Sequence, residues 1–131
     1  MTWASWVDRH INPRETEVFF RSSAPSHFRG GQWNSGGHCK EATQPLNETS
    51  SSMSYPQKNS LLEEIMEHMK TPVTFLNITI FSGFRIDGHP SIYAGKHSSI
   101  QDCSHWCLPG VPDSWNEFLY FHLLSKRGVT S

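Results

Sequence analysis

The chain has 131 residues, 36% of them hydrophobic, and a formal net charge of −1 with its eight histidines neutral. That length fits one domain of ordinary size, but the apolar content is lean for a core that closes on its own. A near-zero charge without a basic run longer than two residues disfavours a nucleic-acid surface, and no apolar stretch approaches the roughly 18–20 residues that span a bilayer.

The first ten residues lack a cationic start, an unbroken apolar stretch and a small-residue cleavage site, so they do not read as a signal peptide. Taken literally, that predicts a cytosolic chain. The three cysteines and two Asn-x-Ser/Thr sequons point the other way, since an odd cysteine count in a secreted protein implies a missing partner.

In chain order, Trp3, Trp6, Val7 and His10 follow Thr2 at helical spacing and predict the tail of an amphipathic helix. Glu17–Arg21 is a short run of strand type. From Ser22 to about Ser60 the chain is loop-rich, broken by Gly30-Gly31 and Gly36-Gly37, with a low-complexity stretch at Thr49–Ser52. Asn47 opens a sequon in this polar loop and is a candidate glycan acceptor. Asn77 opens another inside an apolar run, where a glycan does not fit.

Ser60-Leu61-Leu62-Glu63 reads as a capping box that starts a helix with Leu61, Leu62, Ile65, Met66 and Met69 on one face and Pro72 as its stop. Val73–Ile80 is a nearly continuous β-branched and apolar run, as in a strand of a parallel sheet covered on both faces. Strand, long connection, helix and strand argue an α/β fold. A last helix is predicted behind Asp113 as its cap, with Trp115, Phe118, Leu119, His122 and Leu123 on one face and Lys126 and Arg127 at its negative end before Gly128.

The chemistry concentrates in Asp102-Cys103-Ser104-His105-Trp106-Cys107-Leu108-Pro109-Gly110-Val111-Pro112-Asp113. An Asp three residues before a His can take the imidazole Nδ1–H and leave Nε2 free to accept a proton, the base-plus-orienter half of a nucleophilic site. Asp-x-x-His alone is a weak signal. Its surroundings make it specific. The run from Asp102 to Leu124 resembles the C-terminal block of the trichome birefringence-like proteins, in the PC-esterase group of the SGNH (GDSL-like) superfamily. The likeness extends to Thr2–Asp8, Val18–Arg21, Ser26-His27-Phe28, Trp33–Cys39, Phe75–Thr79 and Arg85–Ser91, and so covers nearly the whole chain.

The resemblance implies that residues 1–131 form one partial domain, the C-terminal half of a three-layer α/β/α SGNH-type fold. It implies a plant polysaccharide O-acetyltransferase in which His105 is the general base and Asp102 its orienter. The nucleophilic Ser would come from an upstream Gly-Asp-Ser block that this chain lacks. Ser104, between the pair, is expected to face away from both. No cofactor is expected beyond an acetyl donor of unknown identity. The expected partner is a cell-wall polysaccharide, with xylan first and pectin or mannan next, and the expected location is the Golgi lumen, in proteins anchored to the membrane elsewhere in their length. The resemblance also favours a disulfide between Cys39 and Cys103, leaving Cys107 without its partner. Competing readings are a truncated, non-catalytic product that binds glycan or a relative, and an esterase that uses water as acceptor.

Plainer readings stand beside these. His38, Cys39, Cys103, His105 and Cys107 match no standard zinc spacing, and no metal is expected. His27 is a weak candidate for the sugar groove and better read as a hydrogen-bonded loop histidine. Asp87-Gly88-His89-Pro90 reads as a tight turn and not as a second Asp/His pair. Trp33 and Trp106 are the candidate groove residues, while Trp3, Trp6 and Trp115 are assigned to core packing.

Overall fold

The computed structural model describes residues 2–47, 56–94 and 101–126. They form α1 (Thr2–His10), β1 (Val18–Arg21), α2 (Gln57–Glu67), β2 (Val73–Leu76), α3 (Ile78–Gly83), a 3-10 turn at Ser91–Ala94 and α4 (Val111–Lys126). The chain divides into two compact units, Met1–Ser22 with Ser52–Asn77, and Ser23–Ser51 with Ile78–Ser131. The low-complexity stretch at Thr49–Ser52, and Arg127 and Gly128 at the far end, lie outside the described residues.

The first unit is built on two parallel strands, with Val18 opposite Val73 and Arg21 opposite Leu76. Ser22 N–H extends the ladder to the Leu76 carbonyl at 3.0 Å. Parallel pairing needs a long crossover, and the intervening chain supplies it with α2. The α/β expectation therefore holds for this sheet.

Several local expectations are corrected. In α1 the buried residues are Ala4 and Val7, while Trp3 and Trp6 are 39% and 50% exposed. Trp3 meets Phe20 edge-on at 4.9 Å and Trp6 stacks on His10 at 5.1 Å, so small side chains carry the buried stripe and the indoles lie at its margin. The Ser60 capping box does not form. The Pro56 carbonyl already accepts from Asn59 N–H at 2.8 Å, so the helix is capped four residues early and Ser60 lies inside it. Leu61 is 57% exposed, and the half-buried face comprises Leu62, Ile65, Met66 and Met69. The helix ends at a His68 cap, ahead of Pro72.

The strand predicted to run to Ile80 stops at Leu76, and Ile78-Thr79-Ile80 turns into α3. Asn77 marks the break. Its Oδ1 accepts the Nδ2–H of the buried Asn59 at 2.9 Å and the more distant Ser22 hydroxyl at 3.5 Å. These anchors turn the chain where propensity alone would have extended it. Asp8 is a second anchor of this unit, its carboxylate accepting Lys70 and Thr71 N–H at 3.1 and 2.8 Å.

The second unit packs around a disulfide between Cys39 and Cys103, with Ala42, Phe28 and Ile86 against it. The favoured pairing is the one present, and Cys107 is free. A loop from Arg29 to His38 closes through an antiparallel bridge. Gly30 and Gly36 take φ of +72° and +83° there, values L side chains rarely adopt. On α4, Phe118 meets Phe81 of α3 at 6.1 Å, and Trp115 Nε1–H donates to the buried Ser82 hydroxyl at 2.8 Å. Asp113 is not the cap. It is the third helical residue, and its Oδ2 reaches back to Gly110 N–H at 2.6 Å, the return half of a capping box. Among the described residues, no helix is long and apolar enough to cross a membrane.

Candidate active site

The Asp102–His105 turn is organised by one carboxylate with two separate tasks. Oδ1 accepts the backbone N–H groups of Ser104 and His105 at 3.0 and 2.9 Å, an Asx-type turn that doubles the chain back on the aspartate. Oδ2 is then left for the imidazole, and Nδ1 of His105 lies 2.7 Å from it. Ser104 does not face away as expected: its hydroxyl joins the same turn, 3.2 Å from Oδ1. The His105 side chain is 83% exposed, so its Nε2 edge is open to a hydroxyl from elsewhere.

Neighbouring segments hold this turn through its backbone. The Asp102 carbonyl accepts from Ser91 N–H at 3.1 Å, the Cys103 carbonyl from His27 N–H at 2.9 Å and the His105 carbonyl from His89 Nδ1 at 2.6 Å, while Cys107 N–H donates to the Gly88 carbonyl at 2.9 Å. Ser91 carries φ of +33° in doing so, a local strain of about 1–3 kcal/mol. Gly88 is a close approach: an added Cβ would lie 3.0 Å from the Trp106 ring and from Val111 Cγ2. Through Cys103 the disulfide ties the middle of the turn to Cys39.

Burial pulls the Asp102 carboxyl upward, but the backbone N–H groups of His105 and Ser104 and the His105 ring outweigh it and hold the group at about 2. It is therefore an anion at any physiological pH. His27 is driven down to about 4, first by burial and then by the neighbouring His89, against the pull of the Gly83 carbonyl. His89 is also lowered, chiefly by burial.

These shifts fix the sign of an acid response. An unfolded histidine takes up its proton near 6.5 while native His27 stays neutral to about 4, so stability is full above 6.5 and falls as pH drops between those values. Asp102 acts later, adding stability above 3.8 that is lost as pH falls towards 2. Denaturant midpoints measured from pH 8 to pH 3 should decline in both windows, with the first flattened in His27→Gln. A midpoint constant from pH 7 to pH 4 would exclude a half-buried His27 that stays neutral.

The other predicted residues are dispersed. Trp33 stands 73% exposed on the Arg29–His38 loop. Trp106 is half-buried, packed on His89 at 4.3 Å and on Trp115 at 5.7 Å, so its ring belongs to the packing under the turn more than to an open groove. The His27 ring hydrogen-bonds His89 at 2.7 Å, as the plainer reading expected. Cys107 is half-buried. Asn47 is exposed, and the rest of its sequon lies outside the described residues. Asp87 pairs with Arg85 at 2.8 Å and not with His89. Among the described residues, no group of three or more His, Cys, Asp or Glu is arranged to hold a metal.

The model of the PC-Esterase family, described as a GDSL/SGNH-like acyl-esterase family found in Pmr5 and Cas1p, matches residues 1–122. The chain belongs to the PC-Esterase family. Within it, the chain is similar to three Arabidopsis thaliana proteins. It is 60% identical to trichome birefringence-like 6 over 96% of its own length, 51% identical to trichome birefringence over 99%, and 43% identical to trichome birefringence-like 42 over 95%. It spans only 27%, 23% and 35% of those relatives.

The residue of this PC-Esterase chain that sequence reading missed is His89. It is 1% exposed, and its partners are a ring 62 residues away and a carbonyl 16 residues away. No local pattern marks either. The only trace was a histidine held between a glycine and a proline.

Proposed function

We propose that this chain is the Asp-His portion of a polysaccharide O-acetyltransferase acting through a Ser-His-Asp acyl-enzyme. The 2.7 Å contact between Asp102 Oδ2 and His105 Nδ1, with the rest of the imidazole exposed, carries the reading. Asp102 fixes the tautomer in which Nε2 holds the lone pair. Nε2 takes the hydroxyl proton of a serine contributed from outside this chain. The serine oxygen attacks the acetyl carbonyl of the donor, and Nε2 returns the proton to the leaving group. In the second half, a sugar hydroxyl gives its proton to Nε2 and takes the acetyl group from the serine, and Nε2 passes that proton to the departing serine oxygen.

The serine and the oxyanion donors belong to the rest of a three-layer α/β/α domain of which this is the C-terminal half. The acceptor is a wall polysaccharide, xylan first, reached in the Golgi lumen by a protein anchored to the membrane elsewhere in its length. The disulfide supports an oxidising compartment, and the relatives' family supports acyl chemistry at the site.

The family's description as acyl-esterases favours one second reading, with water in place of the sugar hydroxyl. The test joins this chain to a segment bearing the serine and follows loss of acetyl from an activated donor with and without xylan oligosaccharides. Sugar-dependent transfer is expected, with an acetyl-serine trapped when sugar is withheld. Equal loss to water with or without sugar would make the protein an esterase. Rapid turnover without an acetylated serine would sink both readings.

A further inference from the structure

Besides the disulfide, three of the four hydrogen bonds named above that hold the Asp102–Cys107 turn come from main chain, and one comes from a side chain. The exception falls on His105. A peptide carbonyl can only accept, so the 2.6 Å contact between the His105 carbonyl and His89 Nδ1 places a proton on Nδ1. His89 is 1% exposed and lies against the Trp106 ring at 4.3 Å, so it has no room to turn away.

Its other nitrogen is also engaged. Nε2 lies 2.7 Å from His27 Nδ1, and with both rings neutral His27 donates and His89 accepts. His27 is itself tied to the turn, since its backbone N–H holds the Cys103 carbonyl. Two imidazoles in series thus form a strut against the same residue whose ring Asp102 aligns. Asp102 sets the rotamer and tautomer of His105, and the strut sets the plane of its peptide. Nε2 is placed only when both are fixed.

We infer that His89, backed by His27, is a positioning residue for His105 that holds its main-chain carbonyl and so sets the direction in which Nε2 meets the nucleophile. This rests on the proposed role of His105 as general base. A misplacement of about 1 Å at a reacting group costs roughly 10²-fold in rate, so an effect of that size on kcat, with KM unchanged, is expected when the strut is cut.

The test uses ring-nitrogen NMR on the oxidised chain, reading each histidine's tautomer through its carbon-bound protons, with His89→Phe and His89→Asn beside the parent. Expected are a protonated Nδ1 on His89 at neutral pH and His105 held in its Nδ1–H form. In His89→Phe the unheld peptide should let the His105 ring slip from Asp102 Oδ2, so that its tautomer drifts towards the Nε2–H form that free imidazole favours. In His89→Asn, whose amide can donate from nearly the same place, it should return. An unprotonated Nδ1 on His89 overturns the inference, as does an unchanged His105 in a folded His89→Phe. If His89→Phe does not fold, the parent tautomer and His89→Asn decide the matter alone. None of these readouts needs a nucleophile, so they separate this inference from the acetyl-transfer reading. Transfer that is lost in His105→Ala but unchanged in His89→Phe would overturn the inference and leave that reading standing.

Discussion

If the proposed acetyl transfer holds, its kcat in a protein joining this chain to the serine-bearing segment should fall roughly 10⁶-fold in His105→Ala and roughly 10⁴-fold in Asp102→Asn. The second substitution is the more informative because the two carboxylate oxygens do different things. Oδ1 accepts two backbone N–H groups and builds the turn, and an asparagine can keep that role with its own carbonyl oxygen. Oδ2 accepts from the His105 ring, and there asparagine presents an N–H instead. The ring then answers with an unprotonated Nδ1 and carries its proton on Nε2, where it can no longer take one from a hydroxyl. A folded protein, less stable by the contribution of the Asp102 anion, with a base in the wrong tautomer is the expected outcome. If Asp102→Asn retains full activity, the Asp102–His105 hydrogen bond is a structural staple and not half of a triad.

The second large effect is on stability. Cys39 and Cys103 are separated by 64 residues, and closing a loop of that size restricts the unfolded chain by about 4 kcal/mol on the chain-entropy estimate. Whole domains have only about 5–15 kcal/mol of net stability, so a double Cys39→Ala, Cys103→Ala protein should lose much of its folded population at 37 °C. Both sulfurs are buried beside Ala42, Phe28 and Ile86, and the loss of packing adds to the loss of the link. Equal denaturant midpoints for the oxidised and reduced protein would show that the bridge contributes nothing. A thiol count on the unreduced protein should find Cys107 alone.

What could be read from the residues, and what could not, divides by the range of the interactions. The contact between Asp102 and His105 was legible because three residues of spacing and one turn contain it. α1, β1 and α4 were legible from periodicity and apolar runs, each to within a few residues. The errors arose where a distant partner overruled a local preference. Ile78-Thr79-Ile80 has strand propensity, yet Asn77 is held by Asn59 and the chain turns into α3. Ser60 has the spacing of a cap, yet Pro56 closes the turn first. Trp3 and Trp6 look like core, yet Ala4 and Val7 occupy the buried stripe. His89 is the extreme case, since each of its hydrogen bonds is made outside its own turn.

The pairing of β1 with β2 has a consequence for biosynthesis. The strands meet across 55 residues of chain, the interval from Ser22 to Asn77. At ribosomal speeds of about 5–20 residues per second, β1 leaves the ribosome roughly 3–11 s before its partner exists. For that interval Val18-Phe19-Phe20 is an unclaimed sticky segment on a nascent polypeptide, ready to join any free strand nearby. Holding it soluble falls to the chaperones of the compartment in which the protein is made.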